Sequence, residues 1–195
     1  MIFYLLFALF NIFLVYFSEN IDYFFEKMKI SDVNSTKKQN ISKMIYLTSL
    51  FITLLVISMR NITVADDTIV YYEYFQNPWK GFAENSFYYF NLLLRSFTDN
   101  FHIFLMCIYL FSIGLFYYII RDKKKKYIYI FLFHALLIFA YNFAIIRQCV
   151  AMSIIFLNFD LFEKNLKIYT KKQSIVIYYI ITLLAILIHN TACIF

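Results

Sequence analysis

The chain has 195 residues, 63% of them hydrophobic and 15% charged, with a mean hydropathy of +0.67 and a formal charge of +6. A soluble domain is about half apolar and about a quarter charged, so the composition reads as an integral membrane protein. With 25 Phe and 18 Tyr against two Gly and one Pro, a disordered chain, a collagen-like chain and a turn-rich β-sandwich are excluded.

A bilayer core of about 30 Å takes about 20 apolar residues in a helix. Six stretches qualify: Ile2–Phe17, Met44–Met59, Phe101–Ile120, Tyr127–Ala144, Ile145–Leu161 and Ser174–Ile188. The first has only Met1 before it and no small-residue cleavage pattern after it, so it reads as a retained span. No Gly, Pro or charge cluster separates the fourth from the fifth. As one helix they would run roughly 52 Å, too long for a bilayer even when tilted. A tight hairpin near Tyr141–Ile146 is therefore expected.

The charges are distributed by side. Lys27, Lys29, Lys37, Lys38 and Lys43 lie in the first loop, Arg121 and Lys123 to Lys126 in another, and Lys164, Lys167, Lys171 and Lys172 in a third. Those are fourteen basic residues in alternate loops, against Arg60, Lys80, Arg95 and Arg147 on the other side. By the positive-inside rule the N-terminus lies outside and the Lys loops are cytoplasmic, solvated faces. The basic surplus thus reports topology, and nucleic acid is not a partner. Cys107, Cys149 and Cys193 sit in apolar stretches without ligand-like spacing, which argues for neither a disulfide framework nor a metal site.

The loop Arg60–Asn100 is the one long outer connection. Asp66-Asp67-Thr68 is a plausible helix start, and Asp67, Tyr71, Tyr74 and Phe75 then share one helical face. Pro78-Trp79-Lys80-Gly81 breaks that helix. From Glu84, residues Phe87, Phe90, Leu94 and Phe97 again follow helical spacing. Two short interfacial helices are expected, with an aromatic stripe that reads first as packing.

The ionisable residues of this side say more. Arg60 ends the second span, Arg147 the fifth and His189 the sixth, so two arginines, a histidine and an Asp pair meet at one membrane face. A lone boundary charge snorkels, but several converging charges point to a site. Guanidinium forks match phosphate oxygens bidentately, which suits a lipid-linked phosphate or pyrophosphate at that depth. Asp67 or His189 could take a proton from a hydroxyl nucleophile. The spacing is diagnostic of no metal. His134 and His102 read as polar residues bonded to neighbouring helices.

The motifs of this face resemble a known family. Arg60, Ala65, Asp67, Thr68 and Tyr71 resemble the EpsG-family signature R-x(4)-G-x-D-T-x-x-Y, with Ala65 where the family has Gly. Glu84, Phe87 and Asn91 resemble E-x-x-F-x-x-x-N; Asn142, Arg147, Gln148 and Ala151 resemble N-x(3,4)-R-Q-x-x-A. Ala185, His189, Thr191 and Ala192 resemble A-x(3)-H-x-S/T-A, and the four elements together cover roughly Met44 to Phe195. The resemblance implies a Wzy-like polymerase of extracellular polysaccharide in the bacterial inner (plasma) membrane. It would act without a cofactor on undecaprenyl-pyrophosphate-linked glycan, among membrane lipid and other polysaccharide export or assembly proteins. It also implies a longer protein, of which these residues are the N-terminal part.

The expectation is thus an all-α polytopic membrane protein of about six transmembrane helices, forming one membrane domain over residues 1–195. In the expected site Arg60 and Arg147 neutralise the leaving pyrophosphate, Asp67 or His189 is the base, and Glu84 and Tyr71 hold sugar hydroxyls beside Gln148. Two alternatives stay open: a polyprenyl-phosphate-sugar glycosyltransferase, and a non-enzymatic transporter or flippase subunit. The absence of a repeat and the scarcity of Gly and Pro speak against the transporter.

Overall fold

Long apolar runs whose backbone groups must bond within themselves leave the helix as the local solution. The computed structural model describes residues 2–28, 34–64, 66–81, 85–135, 146–166 and 169–189, and these are helical with no strand among them. In chain order the helices are α1 (Ile2–Glu19), α2 (Ile21–Lys27), α3 (Ser35–Ser58), α4 (Asp66–Gln76) and α5 (Asn85–Arg95). There follow α6 (Phe101–Ile120), α7 (Lys126–Ala135), α8 (Ile146–Asn165) and α9 (Lys171–Ile188). Four of them, α1, α3, α6 and α9, are long and apolar enough to cross a membrane. α8 is as long as α6 but carries Arg147, Asp160, Glu163 and Lys164. The hairpin expected near Tyr141–Ile146 lies mostly outside the described residues, as does Asn142.

Local signals set the ends. Asn34 caps α3 by accepting the Lys37 N–H at 2.9 Å, so this helix starts nine residues before the apolar stretch and takes Lys37, Lys38 and Lys43 with it. Lysine is a good helix former, so charge alone does not stop a helix at the membrane surface. Asn100 caps α6 through the His102 and Ile103 N–H groups. Thr170 and Gln173 form a reciprocal capping box on α9. α4 ends at Gln76, just ahead of Pro78 and of Gly81, whose φ of +100° suits only glycine.

The helices pack as α1 against α3 and α7, α3 against α6, and α8 against both α6 and α9. One end of the bundle gathers the basic loops: Lys38 meets Asp22 at 3.7 Å, Lys123 meets Asp160 at 3.4 Å, and the Lys125 backbone N–H donates to Glu19. The other end holds α4, α5, Arg60, Arg147 and the end of α9, where the Ser86 hydroxyl donates to the Leu187 carbonyl. Phe3, Leu6, Phe10 and Phe13 of α1 and Val176, Ile180, Leu184 and Leu187 of α9 form outward apolar stripes, suited to lipid.

The interior between α1, α3, α6 and α7 is not wholly apolar. Asn11, 1% exposed, places its amide nitrogen 2.8 Å from Thr53 Oγ1, 3.2 Å from Tyr117 Oη and 3.2 Å from His134 Nε2. Ser49 donates to Asn11 Oδ1 and lies 2.9 Å from Tyr117 Oη, while Tyr46 Oη donates to the Tyr117 carbonyl at 2.7 Å. Tyr4 Oη lies 3.4 Å from His134 Nδ1. His134 is therefore bonded across helices, as its position in an apolar span predicts, and His102 likewise bonds the Ser58 carbonyl at 2.8 Å.

Replacing Asn11 by Leu keeps the bulk but strips Ser49, Thr53, Tyr117 and His134 of a shared partner. The expected loss is about 1–2 kcal/mol, read as a lower thermal midpoint of the detergent-solubilised protein; an unchanged midpoint would show that the network contributes nothing.

Candidate functional site

The connection between α3 and α6 folds inward onto the bundle. Tyr71, Tyr74 and Phe75 on one face of α4 are buried, and Phe75 stacks against Phe104 and Phe101 at the start of α6 with centroids 4.7 and 5.8 Å apart. From α5, Phe87 meets Tyr71 edge-on at 6.0 Å and Tyr74 in a stack at 6.3 Å. Asn91 donates to the Tyr74 carbonyl at 3.3 Å and so ties the two helices together. The packing reading of the aromatic stripe therefore holds on α4. On α5 the opposite side, with Tyr89, Leu92 and Leu93, remains exposed, as does Phe97 beyond the helix. That is the surface a membrane interface would cover.

Arg60 lies at the turn where α3 ends and is only 6% exposed. Its Nε and Nη2 donate to Thr68 Oγ1 at 3.1 and 2.9 Å, and its Nη1 donates to Tyr109 Oη at 2.6 Å and to the Ile57 carbonyl at 3.4 Å. Thr68 in turn donates to the Val64 carbonyl at 2.7 Å. One guanidinium thus joins the end of α3, the first turn of α4 and the middle of α6. A buried charge is tolerated when it is hydrogen-bonded in this way.

Arg147, half-buried at the start of α8, donates from Nε to Tyr71 Oη at 2.9 Å, with its guanidinium carbon 5.9 Å from the Phe87 ring centre. Burial pushes the Tyr71 phenol above its ordinary value although Arg147 pulls it down, so Tyr71 remains a neutral phenol at neutral pH. Each of the two arginines is thus held by a tyrosine, Arg60 by Tyr109 and Arg147 by Tyr71.

The other expected residues are placed unequally. Asp67 is exposed, one turn before Tyr71 on α4. Gln148 is half-buried beside Arg147. His189 is half-buried and ends α9, its N–H bonded to the Ala185 carbonyl at 3.1 Å. Ala151 and Ala185 pack together between α8 and α9, so Arg147 and His189 each lie one turn beyond that contact, at the same end. Glu84 lies outside the described residues. Among the described residues no group of His, Cys, Asp and Glu is arranged to hold a metal ion.

Thr68 stood in the sequence as a helix start and a motif member, but its bond to Arg60 did not show there. Tyr109 was hidden altogether: it lies within an apolar span, and only the fold brings its hydroxyl to a guanidinium.

The fold and this end of it define a helical membrane protein with two tyrosine-held arginines, one buried and one half-buried, beneath a short helical cap. The chain belongs to the EpsG family, whose model matches residues 43–195. All four motif elements fall within that match, whereas α1 and α2 precede it. No curated protein and no solved structure matches the chain. Membership points to an exopolysaccharide-associated, polymerase-type role.

Thr68→Val keeps the shape of the side chain but removes the oxygen that receives two Arg60 donors. The cost is about 1–3 kcal/mol, concentrated where α4 meets α3. Tryptic cleavage after Lys80 in the folded, reconstituted protein is expected to accelerate about tenfold or more, and cleavage at the wild-type rate would show that Arg60 does not hold α4 down.

Proposed function

We propose that the chain takes part in polymerising undecaprenyl-pyrophosphate-linked oligosaccharide repeat units into extracellular polysaccharide at the outer face of the plasma membrane. In this reading it crosses the membrane about six times as one membrane domain with the N-terminus outside, and the Arg60–Arg147 end faces outward. The observation that carries the reading is the position of Arg147: half-buried, fixed by Tyr71, and at the same bundle end as Asp67 and His189. Family membership supports it.

The chemistry follows from charge. An acceptor sugar hydroxyl attacks the anomeric carbon of the growing glycan, its proton passes to a base, and the lipid pyrophosphate leaves with the bonding electrons. The developing negative charge is the main electrostatic demand of that step. Arg147 meets it with a planar fork whose orientation Tyr71 sets. Arg60, engaged with Thr68, Tyr109 and Ile57, serves as a positioning residue that keeps α4 and Tyr71 in place and adds its charge from behind. Asp67 or His189 takes the proton. Gln148 and Glu84 bind sugar hydroxyls.

In the native strain, Arg147→Lys retains the charge and loses the fork. Polymer elongation is expected to slow about tenfold to a hundredfold, seen as a collapse of chain length on gels with unchanged protein in the membrane. Polymer of normal length would remove Arg147 from the pyrophosphate. Orientation has its own test in a chain whose three cysteines are replaced. A cysteine at Thr63 should react with an impermeant thiol reagent in intact cells and one at Lys124 should not; the reverse pattern would turn the site to the cytoplasm.

A further inference from the structure

At the basic end of the bundle, α3 and α6 part around a cavity of about 1020 Å³. It opens sideways, since Leu47, Leu110 and Phe111 on its rim are each more than half exposed. Gly114 lines it without a side chain, where an added Cβ would lie 3.3 Å from Leu110 Cδ1. The cavity runs from this apolar stretch of two membrane-length helices to a charged mouth, so it matches an amphiphile entering from the bilayer.

We propose that this cavity holds one zwitterionic phospholipid whose headgroup bears a primary ammonium, of the phosphatidylethanolamine class. The charges at the mouth select it. Of three carboxylates there, Asp22 is answered by Lys38 at 3.7 Å and Asp122 by Arg121 at 3.0 Å. Glu19 Oε1 accepts the Lys125 backbone N–H, but its Oε2 is buried with no hydrogen-bond partner among the described residues. A buried carboxylate oxygen calls for a donor. Lys43 and Lys126, on the same mouth, have no carboxylate at ion-pair distance among the described residues; Lys126 lies 5.6 Å from the centre of the Tyr46 ring.

Two cations beside one underused carboxylate fit a headgroup carrying both signs. Its phosphate meets Lys43 and Lys126, and its ammonium pairs with the Glu19 carboxylate once that side chain turns an oxygen toward the cavity. A glycerol headgroup would bring the phosphate and offer Glu19 only a neutral hydroxyl, without a balancing positive charge. A choline headgroup carries positive charge but no N–H to donate. One acyl chain then lies along Leu50, Phe111 and Gly114.

The full chain, reconstituted in vesicles of equal phosphatidylethanolamine, phosphatidylcholine and phosphatidylglycerol with matched acyl chains, is extracted in mild detergent and its retained lipid measured by native mass spectrometry. Phosphatidylethanolamine is expected to exceed each of the others about tenfold, the factor one charge-assisted hydrogen bond supplies. Glu19→Gln should bring it level with phosphatidylcholine, and Gly114→Leu should lower all three. Equal retention of ethanolamine and choline lipids by the wild type, or a preference for phosphatidylglycerol, overturns the proposal without reference to any variant. Undiminished retention of phosphatidylethanolamine by Glu19→Gln overturns it as well.

Discussion

The bundle depends on a small amount of polar contact placed inside a large amount of apolar surface. Within a bilayer, helices gain little by hiding apolar side chains from one another, because lipid is as apolar as they are. What fixes their order is directional bonding. Asn11 supplies it here by reaching from α1 to Thr53 on α3, Tyr117 on α6 and His134 on α7. Asn11 thereby bonds three other helices at once. The position of α6 then determines that of α8, and α8 that of α9.

The same principle operates at the opposite depth through Arg60. Its bonds to Thr68 and Tyr109 draw an outer connection into the bundle, so that α4 becomes part of the core and not a surface tether. Tyr71 is buried for that reason, and Arg147 finds a fixed partner for that reason. A cation at a helix turn thereby fixes the helix that carries the partner of a second cation.

Much of the helical outline was legible in the sequence. The stretch Phe101–Ile120 coincides with α6, the break at Pro78 separates α4 from α5, and Asp66 begins α4. The mismatch at α3 arises because hydropathy marks where lipid ends and not where a helix ends; Asn34, a capping residue, was the better signal. Nine residues of the Tyr127–Ala144 stretch lie in α7, which runs from Lys126 to Ala135, and the turn beyond them lies outside the described residues. The placing of Arg60, Arg147, Asp67 and His189 at one end of the bundle was legible, because each lies at or beside a helix end in the alternating order of the chain. The internal bonding of the site was not. Asn11, Ser49, Thr53 and Tyr109 are single polar groups in apolar runs, and an average over a span erases them. Asp160, buried in α8 between Lys123 and Lys164, was passed over for the same reason.

That aspartate changes what α8 can do mechanically. Near one end Asp160, paired within the helix to Lys164 at 2.6 Å, also meets Lys123, which precedes α7, at 3.4 Å; at the other end Arg147 donates to Tyr71 of the cap. The two anchors are about 20 Å apart along the axis. A rod fastened at both tips can lean or bow, but it cannot travel lengthwise. Advancing α8 by one turn, about 5.4 Å, would break the Lys123 and Tyr71 contacts together, while Asp160 would keep Lys164, which travels with it. The contact between α5 and the tip of α9 is held more thinly and can swing aside while α8 stays at its depth.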